Sequence, residues 1–158
     1  MVGGDDLRAA MRRFPAGVAV VTVAVDEERF GITVGSLVSL SLEPPLVGIS
    51  IGLQSSIYEP LRQAGRFVAS VLAGDQQRLA QHFARSGLPP VVAWAGIPLR
   101  GGPGDEPLID GALAWLECVT RSQYEAGDHT IFVASVESLE LGRDGPGLTY
   151  VRGGYESV

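Results

Sequence analysis

The sequence predicts a mainly β protein, a β-barrel or sandwich with peripheral helices. Seven runs rich in Val, Ile, Thr and aromatic residues, at 18–25, 31–42, 46–51, 67–72, 112–124, 129–141 and 148–152, have the composition of strands. Clusters of Gly, Pro, Asp and Glu separate them. Helical periodicity is confined to a few short stretches, so the sheet must supply the core. With 158 residues, one domain spanning 1–158 is expected, large enough to bury a sizeable core.

Leu7, Ala10, Met11 and Phe14 recur at helical spacing and predict an amphipathic helix stopped by Pro15 and Gly17. The run 18–25 is β-branched and reads as a strand. Arg12-Arg13 ahead of it imitates an export signal, but Asp5 and Asp6 spoil the positive region and no small-x-small cleavage site follows. Asp26-Glu-Glu-Arg29 reads as the turn into 31–42. There the even positions Ile32, Val34, Val38, Leu40 and Leu42 are apolar, while Thr33, Gly35, Ser39 and Ser41 are small or hydroxylated. One continuous strand would therefore carry a greasy face and a low face of hydroxyls. The low face suits a flat ligand lying against backbone; it equally suits a half-buried strand wetted on one side.

Pro44-Pro45 ends that strand, and 46–51 forms the next. Gln54-Ser55-Ser56 precedes a short helix ending near Ala64, with Gly65 as its stop and Ser56 and Glu59 at capping-box spacing. Hydroxyls before a helix either cap it or bind an anion such as a phosphate. A strand at 67–72 follows, then a helix carrying Leu79, Ala80 and Phe83 that Asp75 can cap. Residues 85–108, rich in Gly and Pro, read as a long loop. Glu125-Ala-Gly-Asp128 joins the strands at 112–124 and 129–141 as a hairpin and places His129 at its end, where it can reach a cleft or face solvent.

Composition narrows the chemistry. There is no Lys, which excludes a Schiff-base lysine and a P-loop, and no Asn, which excludes an N-glycosylation sequon. Cys118 is the single cysteine, so no intrachain disulfide or thiolate metal cluster is expected, and a reducing compartment fits. The net charge of -6 argues against a nucleic-acid or anionic-membrane surface. No stretch is long enough for a membrane helix. GxGxxG, HExxH and CxxC are absent, and His82 and His129 lie in separate elements, a poor metal site. Gly48-Ile-Ser-Ile-Gly52 matches a nucleophile elbow, with Asp110 and His129 following in hydrolase order. Ser50, however, sits among Ile49 and Ile51 within a strand rather than on a strand-to-helix turn.

Taken together, Met11-Arg-Arg-Phe-Pro-Ala-Gly-Val-Ala-Val-Val-Thr22, Gly31-Ile-Thr-Val-Gly-Ser36, Ser39-Leu-Ser-Leu-Glu-Pro-Pro-Leu-Val47, Gly65-Arg-Phe-Val-Ala-Ser-Val-Leu72, Leu113-Ala-Trp-Leu-Glu-Cys118, Gly127-Asp-His-Thr-Ile-Phe-Val133 and Tyr150-Val-Arg-Gly-Gly-Tyr155 give the chain a resemblance to the flavin reductase-like family. These are the reductase components of two-component flavin-dependent monooxygenases. The resemblance implies a six-stranded antiparallel FMN-binding split barrel of Greek-key type, a homodimer with flavin near the dimer interface, and a cytoplasmic enzyme. It implies hydride transfer from NADH or NADPH to FMN or FAD, and delivery of reduced flavin to a partner monooxygenase. By the same resemblance Thr33, Val34, Gly35, Ser36, Ser39 and Ser41 would line the flavin, Gln54, Ser55 and Ser56 would hold its phosphate end, and His129 would stand by the nicotinamide.

The chain departs from the family pattern in four places. Gly35 replaces a small polar residue, Ile57 replaces a third hydroxyl, Gln54 brings no positive charge, and Pro89-Pro90 interrupts the segment expected to cover the flavin. A non-catalytic split-barrel module holding flavin or haem is the alternative.

Overall fold

The computed structural model of the chain describes residues 1–101 and 105–158. In chain order the strands are β1 (Ala16–Gly17), β2 (Ala19–Val25), β3 (Glu28–Val34), β4 (Val38–Leu42), β5 (Pro45–Gly52), β6 (Arg66–Val71), β7 (Leu99–Arg100), β8 (Leu108–Ile109), β9 (Ala114–Ala126), β10 (His129–Leu141), β11 (Leu148–Val151) and β12 (Gly154–Ser157). The helices are α1 (Gly4–Met11), α2 (Tyr58–Ala64), α3 (Gln77–Phe83) and α4 (Pro90–Trp94).

One seven-stranded antiparallel sheet, in the order β3-β2-β6-β9-β10-β5-β4, dominates. Its inward residues all reach one core: Val21 and Val23 from β2, Val34 from β3, Ile49 and Ile51 from β5, Phe67 from β6, Cys118 from β9 and Phe132 from β10. A sheet in which β3, at one edge, shares a core with β5, five strands away, must curl, so the sheet wraps into a barrel left open between β3 and the β5–β4 edge. α2 packs Leu61 into the same core and ends at Gly65, whose φ of +66° is the left-handed conformation that glycine adopts without a Cβ penalty. A second apolar cluster, with Val20, Leu72, Ala80, Phe83 and Leu148, lies on the other face of β2, beneath α3.

The mainly β architecture follows the sequence expectation, with informative differences. The expected strand at 31–42 is two strands, which raises the strand count of the sheet by one; the break falls at residues 35–37. The turn into β3 needs only two residues, Asp26 and Glu27, both at positive φ. Ile57, not Ser56, is the N-cap of α2, and Glu59 pairs with Arg62, so the capping box does not form. Asp75 does not cap α3 either; Gln76 is the N-cap, and Asp75 forms an ion pair with Arg143. The long loop holds α4, β7 and β8, with residues 102–104 outside the described residues. The final strand continues into β12, pairing Tyr150 with Tyr155. α1 buries none of its residues, and Leu7, Met11 and Phe14 stand exposed.

Candidate functional site

β3 is an edge strand, so every second backbone N–H and C=O on it points away from β2. Register with β2 sets its faces. Ile32 sits opposite Val21 and Val34 opposite Ala19, toward the barrel core, while Gly31 and Thr33 face the other way, beside Thr22 and Val20. That other face is not the bare bed the alternation suggests, because α3 covers its middle. Thr33 Oγ1 donates to the Ala80 carbonyl at 2.7 Å. A Cβ on Gly31 would lie 3.0 Å from the Phe83 ring and 3.3 Å from Trp94.

Open space remains at both ends of this cover. At the far end a cavity of about 220 Å³ is lined by Val18, Thr33, Val34, Gly35, Tyr150 and Tyr155. The two tyrosine rings pack edge to face, 5.0 Å between centroids. Burial, followed by the neighbouring Tyr150, raises the Tyr155 phenol above its ordinary pKa. At the near end a cavity of about 130 Å³ brings Ser56 beside Arg29, Gly31, His82, Arg85 and Trp94. Trp94 closes it by donating Nε1–H to the Arg29 carbonyl at 2.9 Å, and His82 Nε2 bonds the Ala93 carbonyl at 2.6 Å. A carbonyl only accepts, which assigns the proton to Nε2.

Between β3 and β4 the chain turns across the opening of the barrel. Ser36 Oγ accepts from the Ser50 N–H at 3.0 Å and donates to the Ser50 carbonyl at 3.1 Å. Beyond this corner the alternation fails. A bulge at Leu40 lets Ser39 pair with Val47 and Ser41 with Leu46, so the two serines point to opposite faces of β4. Val38, Leu40 and Leu42 are exposed instead of lining a core.

β5 leads from Ser50 to Gly52 and then into the 53–56 turn. His129 opens β10 directly opposite Gly52, and the Leu53 N–H is held by the Asp128 carbonyl at 3.0 Å. His129 Nδ1 donates to the Asp128 carboxylate at 2.7 Å, a bond that holds Asp128 below the usual carboxylate range. Nε2 is thereby left on the Gly52 side, 3.8 Å from where a Cβ there would stand. Gln54 and Ser56 are exposed, and Ser55 Oγ accepts a long bond of 3.4 Å from the Ile57 N–H. Ile57 itself is buried in the barrel core, which accounts for an apolar residue where a third hydroxyl was expected. Burial pushes the Cys118 thiol up to about 12, which makes it an inert core residue. Ser50 lies inside β5, opposite Ile131, so the elbow motif is a strand and not a nucleophile turn. Among the described residues no group of three or more His, Cys, Asp and Glu could hold a metal ion.

Thus Thr33, Val34 and Gly35 share one cavity. Gln54, Ser55, Ser56 and His129 gather along the continuation of β5, and Ser36 joins the two segments. Ser39 and Ser41 stand apart on β4. Four lining residues escaped the sequence reading of the site. Tyr150 and Tyr155 flank Gly153-Gly154, a spacing that signals a hairpin with paired rings. Arg29 and Arg85 supply the positive charge that Gln54 lacks, but they come from separate elements, and no local pattern joins them to Ser56.

The family described as flavin reductase like domain matches residues 11–158. The reductase component of 4-hydroxyphenylacetate 3-monooxygenase from Thermus thermophilus is 38% identical, over 98% of this chain and 96% of that protein. An NADH-dependent FAD reductase of Streptomyces globisporus is 42% identical over 82% of this chain and 72% of its own length. The crystal structure of the flavin reductase component of a bacterial two-component tryptophan halogenase superposes with a TM-score of 0.89 at 34% identity, covering 99% of this chain and 98% of that one.

Proposed function

The chain belongs to the flavin reductase-like family, and from that premise we propose that it is an NAD(P)H:flavin oxidoreductase that passes reduced FMN or FAD to a flavin-dependent monooxygenase. One observation carries the assignment to residues: Ser36, at the end of β3, bonds Ser50 of β5, and Ser56, beyond the end of β5, shares a cavity with Arg29 and Gly31 of β3 and with Arg85. The donor set fits a flavin. The edge of β3 beyond Gly31 offers backbone groups to a planar ring, and Tyr150 and Tyr155 wall the adjoining cavity. Two guanidinium groups and Ser56 suit a phosphate.

Bound flavin would supply the electron sink that accepts hydride from NAD(P)H. The protein's part is placement and electrostatics. In this reading Thr33, Val34, Gly35 and Ser36 present backbone to the ring, and N–H groups there meet negative charge without a basic side chain. Ser39 and Ser41 point to opposite faces of β4, so only one of them can face the site from that strand. Gln54, Ser55 and Ser56, with Arg85, hold the phosphate end. His129 orients the nicotinamide through Nε2, while Asp128 fixes its tautomer. The exposed apolar residues of α1 and β4 support a homodimer that covers them. No helix among the described residues is long and apolar enough to cross a membrane. Dependence on NAD(P)H supports a cytoplasmic setting, and the net charge of -6 supports a role without nucleic-acid or membrane partners.

The deciding measurement is oxidation of NADH, then NADPH, by the purified protein with and without added FMN or FAD. Oxidation that saturates with flavin is expected and identifies the preferred flavin. None with either flavin would leave a binding module. In the same assay His129→Ala is expected to slow turnover per bound flavin by about tenfold or more while flavin affinity stays within about twofold. Collapsed affinity with normal turnover would remove His129 from the nicotinamide.

A further inference from the structure

We propose that Ser36 is a positioning residue whose hydroxyl fastens the apex of the barrel opening and sets its width, leaving only its backbone to face a flavin. The proposal rests on the reading of that opening as the flavin site. β5 pairs with β10 along its length to Gly52, but its pairing with β4 covers only Pro45 to Gly48. Past Gly48, the β4 side of β5 is a free edge, and an unpaired N–H and C=O in a half-buried setting cost stability. Ser36 Oγ meets both groups of one residue, accepting from Ser50 N–H at 3.0 Å and donating to Ser50 C=O at 3.1 Å. A hydroxyl has one proton to donate, and here it is spent. The side chain therefore substitutes for a missing ladder residue, tying the end of β3 to β5.

Gly35 beside it is packed against β1, where a Cβ would stand 3.3 Å from that of Ala16. The corner is thus held by packing of Gly35 against β1, by Leu37 against the barrel core, and by one hydroxyl that alone fixes it to the free edge of β5. Removing the hydroxyl frees the corner to move away from β5 and widens the opening that the ring must fill.

The test compares Ser36→Ala with Ser36→Thr, and Ser36→Val with Ser36→Thr as an isosteric pair should Ser36→Ala fail to fold. Three quantities are measured: hydrogen exchange of the Ser50 amide without flavin, flavin affinity by fluorescence titration, and kcat against KM for flavin in NADH oxidation. Loss of the hydroxyl is expected to speed Ser50 exchange about tenfold and to raise flavin Kd and KM by about the same factor, with kcat within about twofold and both effects absent in Ser36→Thr. Unchanged exchange would overturn the proposal, and weakened flavin binding with unchanged exchange would make the hydroxyl a direct ligand. A wild-type protein that binds neither FMN nor FAD would overturn the functional reading instead, and the exchange rates would still decide whether Ser36 fastens the edge.

Discussion

The two faces of β3 arise from one alternation and meet opposite neighbours. Ile32 and Val34 face inward, where six strands and α2 converge and side chains fill the space. Gly31 and Thr33 face outward, where the short helix α3 covers the middle of the strand, with Trp94 of α4 beside it, and leaves a cavity at each end. Polarity does not explain the contrast, since the outward face also covers a buried apolar cluster. The covering layer does: a curled sheet closes on itself, whereas a seven-residue helix cannot reach both ends of the strand it covers. Binding space here is what the cover leaves behind.

Substitutions on the two faces should separate stability from binding. Phe132→Ala, at a fully buried position of the barrel core, is expected to destabilise the protein by about 3–5 kcal/mol, read from urea midpoints, because the closed face cannot collapse around the void. Flavin affinity of the folded fraction should stay the same; a loss there would mean the inward face also shapes the site. Gly31→Ala places a methyl 3.0 Å from Phe83 and is expected to cost about 1–3 kcal/mol. Here affinity should fall with stability, because Phe83 and Trp94 wall the cavity beside Ser56; unchanged affinity would detach that cavity from the flavin. Thr33→Val keeps the shape and removes the bond to the Ala80 carbonyl, and is expected to cost about 1 kcal/mol. A much larger loss in thermal unfolding would show that α3 depends on this bond to stay in place.

Local chemistry made most of the fold legible. β-branched runs marked the strands, Gly65 marked the end of α2, and Glu125-Ala-Gly-Asp128 marked the β9–β10 hairpin. The failures have a common cause. Nothing in the alternation of 31–42 records that the barrel must open, yet the opening breaks the run at residues 35–37 and the bulge at Leu40 then reverses its faces. Asp75 had the composition of a cap but found Arg143, 68 residues away. The site was legible where its parts are contiguous, as in Gln54-Ser55-Ser56 or Asp128-His129. It was illegible where the parts meet only in space, as Arg29 and Arg85 do beside Ser56.

The pinning of Trp94 has an optical consequence. The chain has two tryptophans. Trp115 is buried, with its indole N–H bonded to the Ile109 carbonyl at 2.8 Å and Arg100 stacked 4.3 Å from the ring. Trp94 is half-buried and forms part of the wall beside Ser56. The protein thus carries a built-in pair of lamps, one in the interior as a reference and one at the site. A molecule settling beside Ser56 dims the second more than the first, so occupancy can be followed by emission alone, without a label.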